Sequence, residues 1–202
     1  NAANSGEQFA DMCSNSADLV YSVVRAGKQL QEDKHKVYIV EHKNVAGQLR
    51  TAVEVLEPVD GSTPQGVSTR LYYEHMCGEM KRFCVGTLEV LDVLLSEELN
   101  SPAESKAIYL KTIGDFSRYL CTLDIPERDL YVTRAKEHYE KAISIAERFL
   151  EATNPTRLGI ALNFSVFKKE IDNDSQGALT VANEAFTQAI AKLDEIEDKY
   201  YN

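Results

Sequence analysis

The sequence has no tryptophan, and among its 202 residues only ten are glycine and five proline. A turn-rich β protein needs more of both, so scarcity of chain breakers favours long helices with short interruptions. No apolar run approaches the length that crosses a bilayer. Asn1 to Gly6 lack the basic and apolar pattern of a secretory signal. Lysine and arginine number 22 against 32 acidic residues, for a net charge of −10. So few cations cannot coat a phosphate backbone, which argues against nucleic acid as a general partner. Enzyme signatures are missing too. There is no G-x-x-x-x-G-K-[ST], G-x-G-x-x-G or G-x-S-x-G, and the histidines (35, 42, 75 and 138) never form H-E-x-x-H. No metal or cofactor is expected. Cys13, Cys77, Cys84 and Cys121 form no C-x-x-C pair and read as reduced, packed thiols of a cytoplasmic protein.

What is present is a helical pattern. Hydrophobic residues make up 44% and charged residues 27%, enough for both a core and a solvated surface. Breaks fall at Glu57 to Gly66, at Asn100-Ser101-Pro102, at Leu123 to Glu127, at Ala152 to Thr156 and at Asp172 to Gly177. Between them the periodicity predicts helices near 2–14, 16–31, 34–56, 67–97, 102–121, 127–151, 156–171 and 176–199. Asn154 is a natural N-cap with Pro155 at the first helical position. Ser101-Pro102 opens another helix in the same way, with Glu104 as the capping-box partner of Ser101. Eight antiparallel helices joined by short loops form a bundle-like or solenoid-like layer. Segments 134–150 and 178–193 share an alanine and aromatic spacing found in helical-hairpin repeats, so a repeat scaffold binding unphosphorylated peptides is the alternative.

Three stripes of polar residues stand out. Lys43, Gly47 and Arg50 fall at i, i+4 and i+7 of one helix, with the two cations about 10.5 Å apart along its axis. Gly47 costs about 1 kcal/mol relative to alanine, and a helix keeps such a residue more readily where something approaches its backbone. Lys111, Asp115 and Arg118 repeat the spacing, with Tyr119 following. Asp115 can hold either cation from within the helix. Two arginine forks, a lysine and a tyrosine hydroxyl match a phosphate dianion. Gly159, Asn163, Val166 and Glu170 share a third face, beside Leu162. An asparagine there offers donors and an acceptor to an extended peptide backbone.

These stretches also carry a resemblance. Residues 154–171 (NPTRLGIALNFSVFKKEI), 103–120 (AESKAIYLKTIGDFSRYL) and 42–50 (HKNVAGQLR) closely resemble the 14-3-3 protein family, in the family's order. The similarity can be followed from about residue 13 to Tyr201. It implies an all-α antiparallel bundle in a single domain spanning 1–202, with 1–31 at a dimer interface and 34–199 forming a groove. The family's ninth helix should begin about where the sequence stops, so eight helices are expected. The groove of the family binds phosphoserine or phosphothreonine peptides. By motif position its phosphate ligands look like Lys43, Arg50, Arg118 and Tyr119. Its backbone-holding pair looks like Asn163 and Glu170, and Leu162, Val166 and Gly159 look like its apolar wall. The implied partners are phosphorylated proteins and a second subunit, as homodimer or heterodimer.

The departures carry expectations of their own. Glu54 stands where the family usually has arginine, and Val53 where it usually has tryptophan. Gly78 and Gly86 interrupt the fourth helix. The family's intersubunit ion pairs fall at Met12 with Arg82 and at Asn15 with Gly78, neither oppositely charged. Segment 1–16 is polar and poor in apolar residues, so the dimer is expected to be weakened.

Overall fold

The 3.6-residue spacing of apolar side chains becomes helix throughout the computed structural model, which describes residues 32–56, 64–97 and 102–201. Six helices occur there: α1 (Glu32–Val55), α2 (Pro64–Glu97), α3 (Ala103–Cys121), α4 (Arg128–Phe149), α5 (Pro155–Glu170) and α6 (Ser175–Tyr201). No strand occurs among the described residues. The six match the expected spans to within three residues at each end. The helices expected at 2–14 and 16–31 lie outside the described residues, as do Met12 and Asn15, so the count of eight has no counterpart here. The chain divides into two compact units, Asn1–Leu94 and Leu95–Asn202.

In the first unit, α1 buries Tyr38, Ile39, His42, Val45, Ala46, Leu49 and Val53, a stripe recurring every three to four residues. On α2 the buried set includes Met76, Met80, Phe83, Cys84, Leu88 and Leu91. The His42 ring lies between these helices, stacked on Phe83 at 5.3 Å and packed on Tyr38 at 3.7 Å. Its Nδ1 bonds the Tyr38 carbonyl at 2.9 Å. Burial pushes its pKa down to about 4, because an apolar site disfavours the cation. The same physics pushes the buried Cys84 thiol up to about 12. Val53 packs into this core. Gly78 and Gly86 have no neighbouring atom within 4 Å of where a Cβ would sit. They are therefore not required by close packing.

In the second unit, successive helices run antiparallel. The end of α3 meets the start of α4, where Arg128 Nε donates to the Cys121 carbonyl at 3.0 Å. Mid-helix Gly114 lies against Tyr139, and Ala107 packs in one cluster with Ala142 and Ala146. Small residues at Ala135, Ala142 and Ala146 on α4 let it approach its neighbours closely. The turn from α4 to α5 reverses the chain again. Arg157 Nη1 donates to the Leu150 carbonyl at 2.9 Å, satisfying a carbonyl at the end of α4 that has no helical partner. Tyr139, Phe164 and Phe167 form an aromatic cluster with centroids 5.7 to 6.2 Å apart.

The cap at α5 forms as expected. Asn154 Oδ1 accepts from Thr156 N at 2.8 Å and Arg157 N at 3.2 Å, with Pro155 opening the helix. Such a cap stabilises by roughly 1 kcal/mol. The start of α3 is different. Pro102 is the capping residue rather than the first helical one, and it makes no side-chain cap bond. Glu104 Oε1 instead accepts from Asn154 Nδ2 at 3.1 Å and Thr156 Oγ1 at 2.9 Å, tying α3 to the start of α5. Between α5 and α6, Asn173 takes a positive φ of 53°. Asp174 Oδ1 then accepts from Gly177 N at 2.8 Å. A Cβ on Gly177 would lie 2.0 Å from Asp174 Oδ2, so a larger residue there would require the Asp174 carboxylate to shift.

Candidate functional site

The first unit carries the stripe of Lys43, Gly47 and Arg50 on the solvent side of α1. Lys43 is half-buried and Gly47 exposed, and no atom lies within 4 Å of the Cβ that Gly47 lacks. Arg50 is about one-third exposed. Its Nη2 donates to Glu54 Oε1 at 3.2 Å, one turn on. Glu54 therefore competes for the guanidinium from within the helix. Exposed pairs of this kind are worth roughly 0.5 kcal/mol, so an incoming dianion can displace it. Beside the stripe is an open recess of about 750 Å³, bordered by Lys43, Gly47, Ala52, Val55, Leu56 and Tyr72.

The second unit is organised around Asp115, whose side chain is fully buried. Its Oδ2 accepts from Lys111 Nζ at 3.0 Å on the same helix. Its Oδ1 accepts from Tyr139 Oη at 2.6 Å on α4 and from Asn163 Nδ2 at 2.7 Å on α5. A buried carboxylate without such donors would be strongly disfavoured. Here three helices supply them. The Tyr139 hydroxyl is held well above its usual pKa, first by burial and then by the Asp115 charge, so it remains a donor.

Gly114 makes this geometry accessible. A Cβ there would lie 2.9 Å from Tyr139 Cδ1 and Cε1. Glycine lets the Tyr139 ring lie against the α3 backbone with its hydroxyl at the next residue. At Gly159 a Cβ would make only an ordinary contact, 3.7 Å from Lys111 Cε, so close packing does not require glycine there.

Arg118 lies one turn beyond Asp115, with 8% of its side chain exposed. Burial works against its charge, but Tyr139, Asp115 and Tyr119 outweigh that and hold its pKa above the ordinary value. Its guanidinium sits 5.1 Å from the centre of the Tyr119 ring, a cation–π distance. Its Nη1 lies 3.6 Å from Glu170 Oε2, an ion pair longer than a hydrogen bond.

On α5, Gly159, Asn163 and Val166 are half-buried and Glu170 is exposed. Leu162 is 62% exposed, a large apolar side chain in water. The second unit thus brings Arg118, Tyr119, Asn163 and Glu170 to one face of α3 and α5, with Leu162 and Val166 on α5 beside them. Lys43 and Arg50 form a separate set on the first unit. Sequence reasoning found Lys111 and Asp115 by their spacing but missed Tyr139. Its partner Asp115 is 24 residues away, and no local pattern links them.

Among the described residues no group of three or more His, Cys, Asp or Glu side chains is placed to hold a metal ion. No described helix is long and apolar enough to cross a membrane.

Comparison with known proteins agrees with this architecture. The model of the 14-3-3 protein family matches residues 2–202. The chain is 34% identical to 14-3-3 protein homolog 2 of Echinococcus multilocularis, over 98% of this chain and 80% of that protein. It is 33% identical to 14-3-3 protein theta of Homo sapiens, over 98% of this chain and 81% of that protein.

Proposed function

The chain belongs to the 14-3-3 protein family, and from that premise we propose that it is an adaptor binding phosphoserine and phosphothreonine peptides. In this reading Lys43, Arg50, Arg118 and Tyr119 hold the phosphate. Asn163 and Glu170 hold the peptide backbone, and Leu162, Val166 and Gly159 line the apolar wall. Binding is an equilibrium with no covalent step, and the chain is not an enzyme. A phosphate of about −2 charge is attracted by these cationic side chains. The client is masked, reshaped or bridged as a result, in the cytoplasm.

The observation that supports this most is Arg118. Tyr139, Asp115 and Tyr119 keep this buried guanidinium charged, so it is a preformed cation of the kind a phosphate engages. Its contact with Glu170, at 3.6 Å, is loose enough for a phosphate to engage the remaining donors. The deciding experiment titrates one phosphoserine peptide and its unphosphorylated twin by fluorescence anisotropy. Two charge-assisted hydrogen bonds at about 1.5 kcal/mol each predict roughly 100-fold tighter binding of the phosphorylated form. Equal affinities would favour the repeat-scaffold reading instead.

The weakened dimer belongs to the same proposal. Arg82 is exposed and pairs with Glu79 on its own helix, and Gly78 is exposed with open space where a side chain would stand. Sedimentation across a dilution series should reveal monomer at micromolar concentration. A dimer persisting to nanomolar concentration would contradict it.

A further inference from the structure

The geometry points to Asp115 as a positioning residue that sets the orientation of the Asn163 amide, an inference that rests on the phosphopeptide reading above. A primary amide has two chemically different ends of nearly the same shape. One accepts and the other donates, and a rotation of about 180° exchanges them. Which end faces a ligand decides whether the residue offers a peptide an acceptor or only donors. In this chain the choice is made by the partner behind it.

Asp115 Oδ1 and Asn163 Nδ2 are 2.7 Å apart. An ionised carboxylate only accepts. The amide must therefore turn its nitrogen toward Asp115, since the opposite rotation would set two acceptor oxygens against each other. Ionisation of Asp115 is maintained by the Lys111 ammonium at 3.0 Å and by the Tyr139 hydroxyl at 2.6 Å. The Asn163 carbonyl is then held away from Asp115, able to accept a peptide N–H. The second Nδ2 hydrogen is left to donate to a peptide carbonyl. Those two bonds are what an extended backbone requires of a side-chain amide. Asp115 itself is fully buried, so it reaches the peptide through the side chains it holds, Asn163 among them. The cost of fixing the amide is met during folding instead of during binding, which favours association.

The test is a double-mutant cycle on peptide affinity with the full chain, using a phosphoserine peptide with its flanking residues. Asp115→Asn keeps the shape but removes the requirement, because an amide at 115 can donate as well as accept. It also removes a negative charge near a bound phosphate, which by itself strengthens binding. That charge effect is the same whether or not Asn163 is present, so the cycle cancels it. Asp115→Asn should weaken binding about fivefold more in the wild-type chain than in Asn163→Ala, the equivalent of about one hydrogen bond. An identical factor in both backgrounds overturns the inference. A purely structural role for Asp115 lowers the melting temperature without producing this coupling.

Should Asp115→Asn not fold, nitrogen-15 NMR of the wild-type chain decides. One Asn163 amide proton should be shifted and protected from exchange, and the other not. Two protons exchanging alike at the solvent rate overturn the inference. If the wild-type chain fails to distinguish the phosphopeptide from its unphosphorylated twin, the adaptor reading falls and this inference with it. If it distinguishes them but shows no coupling, only the role of Asp115 falls.

Discussion

The two units carry cations in different ways. On α1, Arg50 is partly in water and its observed carboxylate partner, Glu54, is an exposed neighbour on the same helix. On α3, Arg118 is buried and its surroundings are drawn from three helices: Asp115 and Tyr119 on α3, Tyr139 on α4 and Glu170 on α5. The first arrangement comes from local spacing and costs little to rearrange. The second is built by the tertiary fold, from side chains on three helices. A cation held by one exposed neighbour is easily drawn to a new partner, whereas one surrounded by three helices has its position set by the fold.

The largest expected effect comes from the buried arginine. Arg118→Ala removes a buried charge that Asp115 and Tyr139 are arranged around, and truncation of one partner of a buried pair costs roughly 2–5 kcal/mol. Phosphopeptide affinity should fall by about 30-fold or more by anisotropy. Arg50→Ala should cost less, because Arg50 is more exposed and is already shared with Glu54. Equal losses would erase the distinction between the two arginines.

The next prediction concerns acid. His42 has a folded pKa of about 4, depressed by burial from the ordinary 6.5. Above pH 6.5 it is neutral folded or unfolded, and its contribution is fully present. Between 6.5 and 4 the unfolded chain takes up a proton that the folded first unit refuses. Stability is therefore lost as pH falls through that window, by up to roughly 3 kcal/mol. His42→Phe should flatten the slope. Hydrogen exchange of α1 amides across pH 4 to 7 measures it, and an unchanged slope would show that His42 is not responsible.

A third prediction sharpens the role of close packing in the second unit. Gly114→Ala forces a Cβ against the Tyr139 ring, and overpacking of this kind costs roughly 1–3 kcal/mol. Displacing the ring should also lengthen the bond from Tyr139 to Asp115. By contrast, Gly78→Ala meets nothing and should stabilise by about 0.5–1 kcal/mol, through helix propensity alone. Urea denaturation of the two variants gives both signs.

The smallest effect belongs to Glu54. Glu54→Arg removes the intrahelical competitor for Arg50 and adds a cation. Binding should improve about two- to fivefold at low salt and less at high salt, as expected of exposed charges. No gain at low salt would show that Glu54 does not restrain Arg50.

How far these features were legible depends on how local their causes are. The Arg50–Glu54 and Lys111–Asp115 pairs follow from i, i+4 spacing, and the Asn154 cap follows from the residues beside it. Helix spans were readable because their apolar periodicity is strong. Glu104 was assigned to its own helix but bonds to residues some 50 positions away, because tertiary packing brings the start of α5 within reach. Tyr139 carried no local signal at all. Its value comes from Gly114 leaving room for the ring, and a glycine inside a helix reads in sequence only as a propensity cost. The site residues on α5 were found through motif resemblance more than through spacing, since an asparagine on a helix face is ordinarily just surface.

The proposed function requires Lys43 and Arg50, and also Arg118, Tyr119 and Asn163, to respond to one phosphate-bearing peptide. The most direct measurement is a titration of the nitrogen-15-labelled chain with a phosphoserine peptide, following assigned signals of α1, α3 and α5. Signals of both units should move together with a single dissociation constant, and the unphosphorylated twin should move neither set at the same concentration. Movement confined to one unit, or the same pattern with the unphosphorylated peptide, would contradict it.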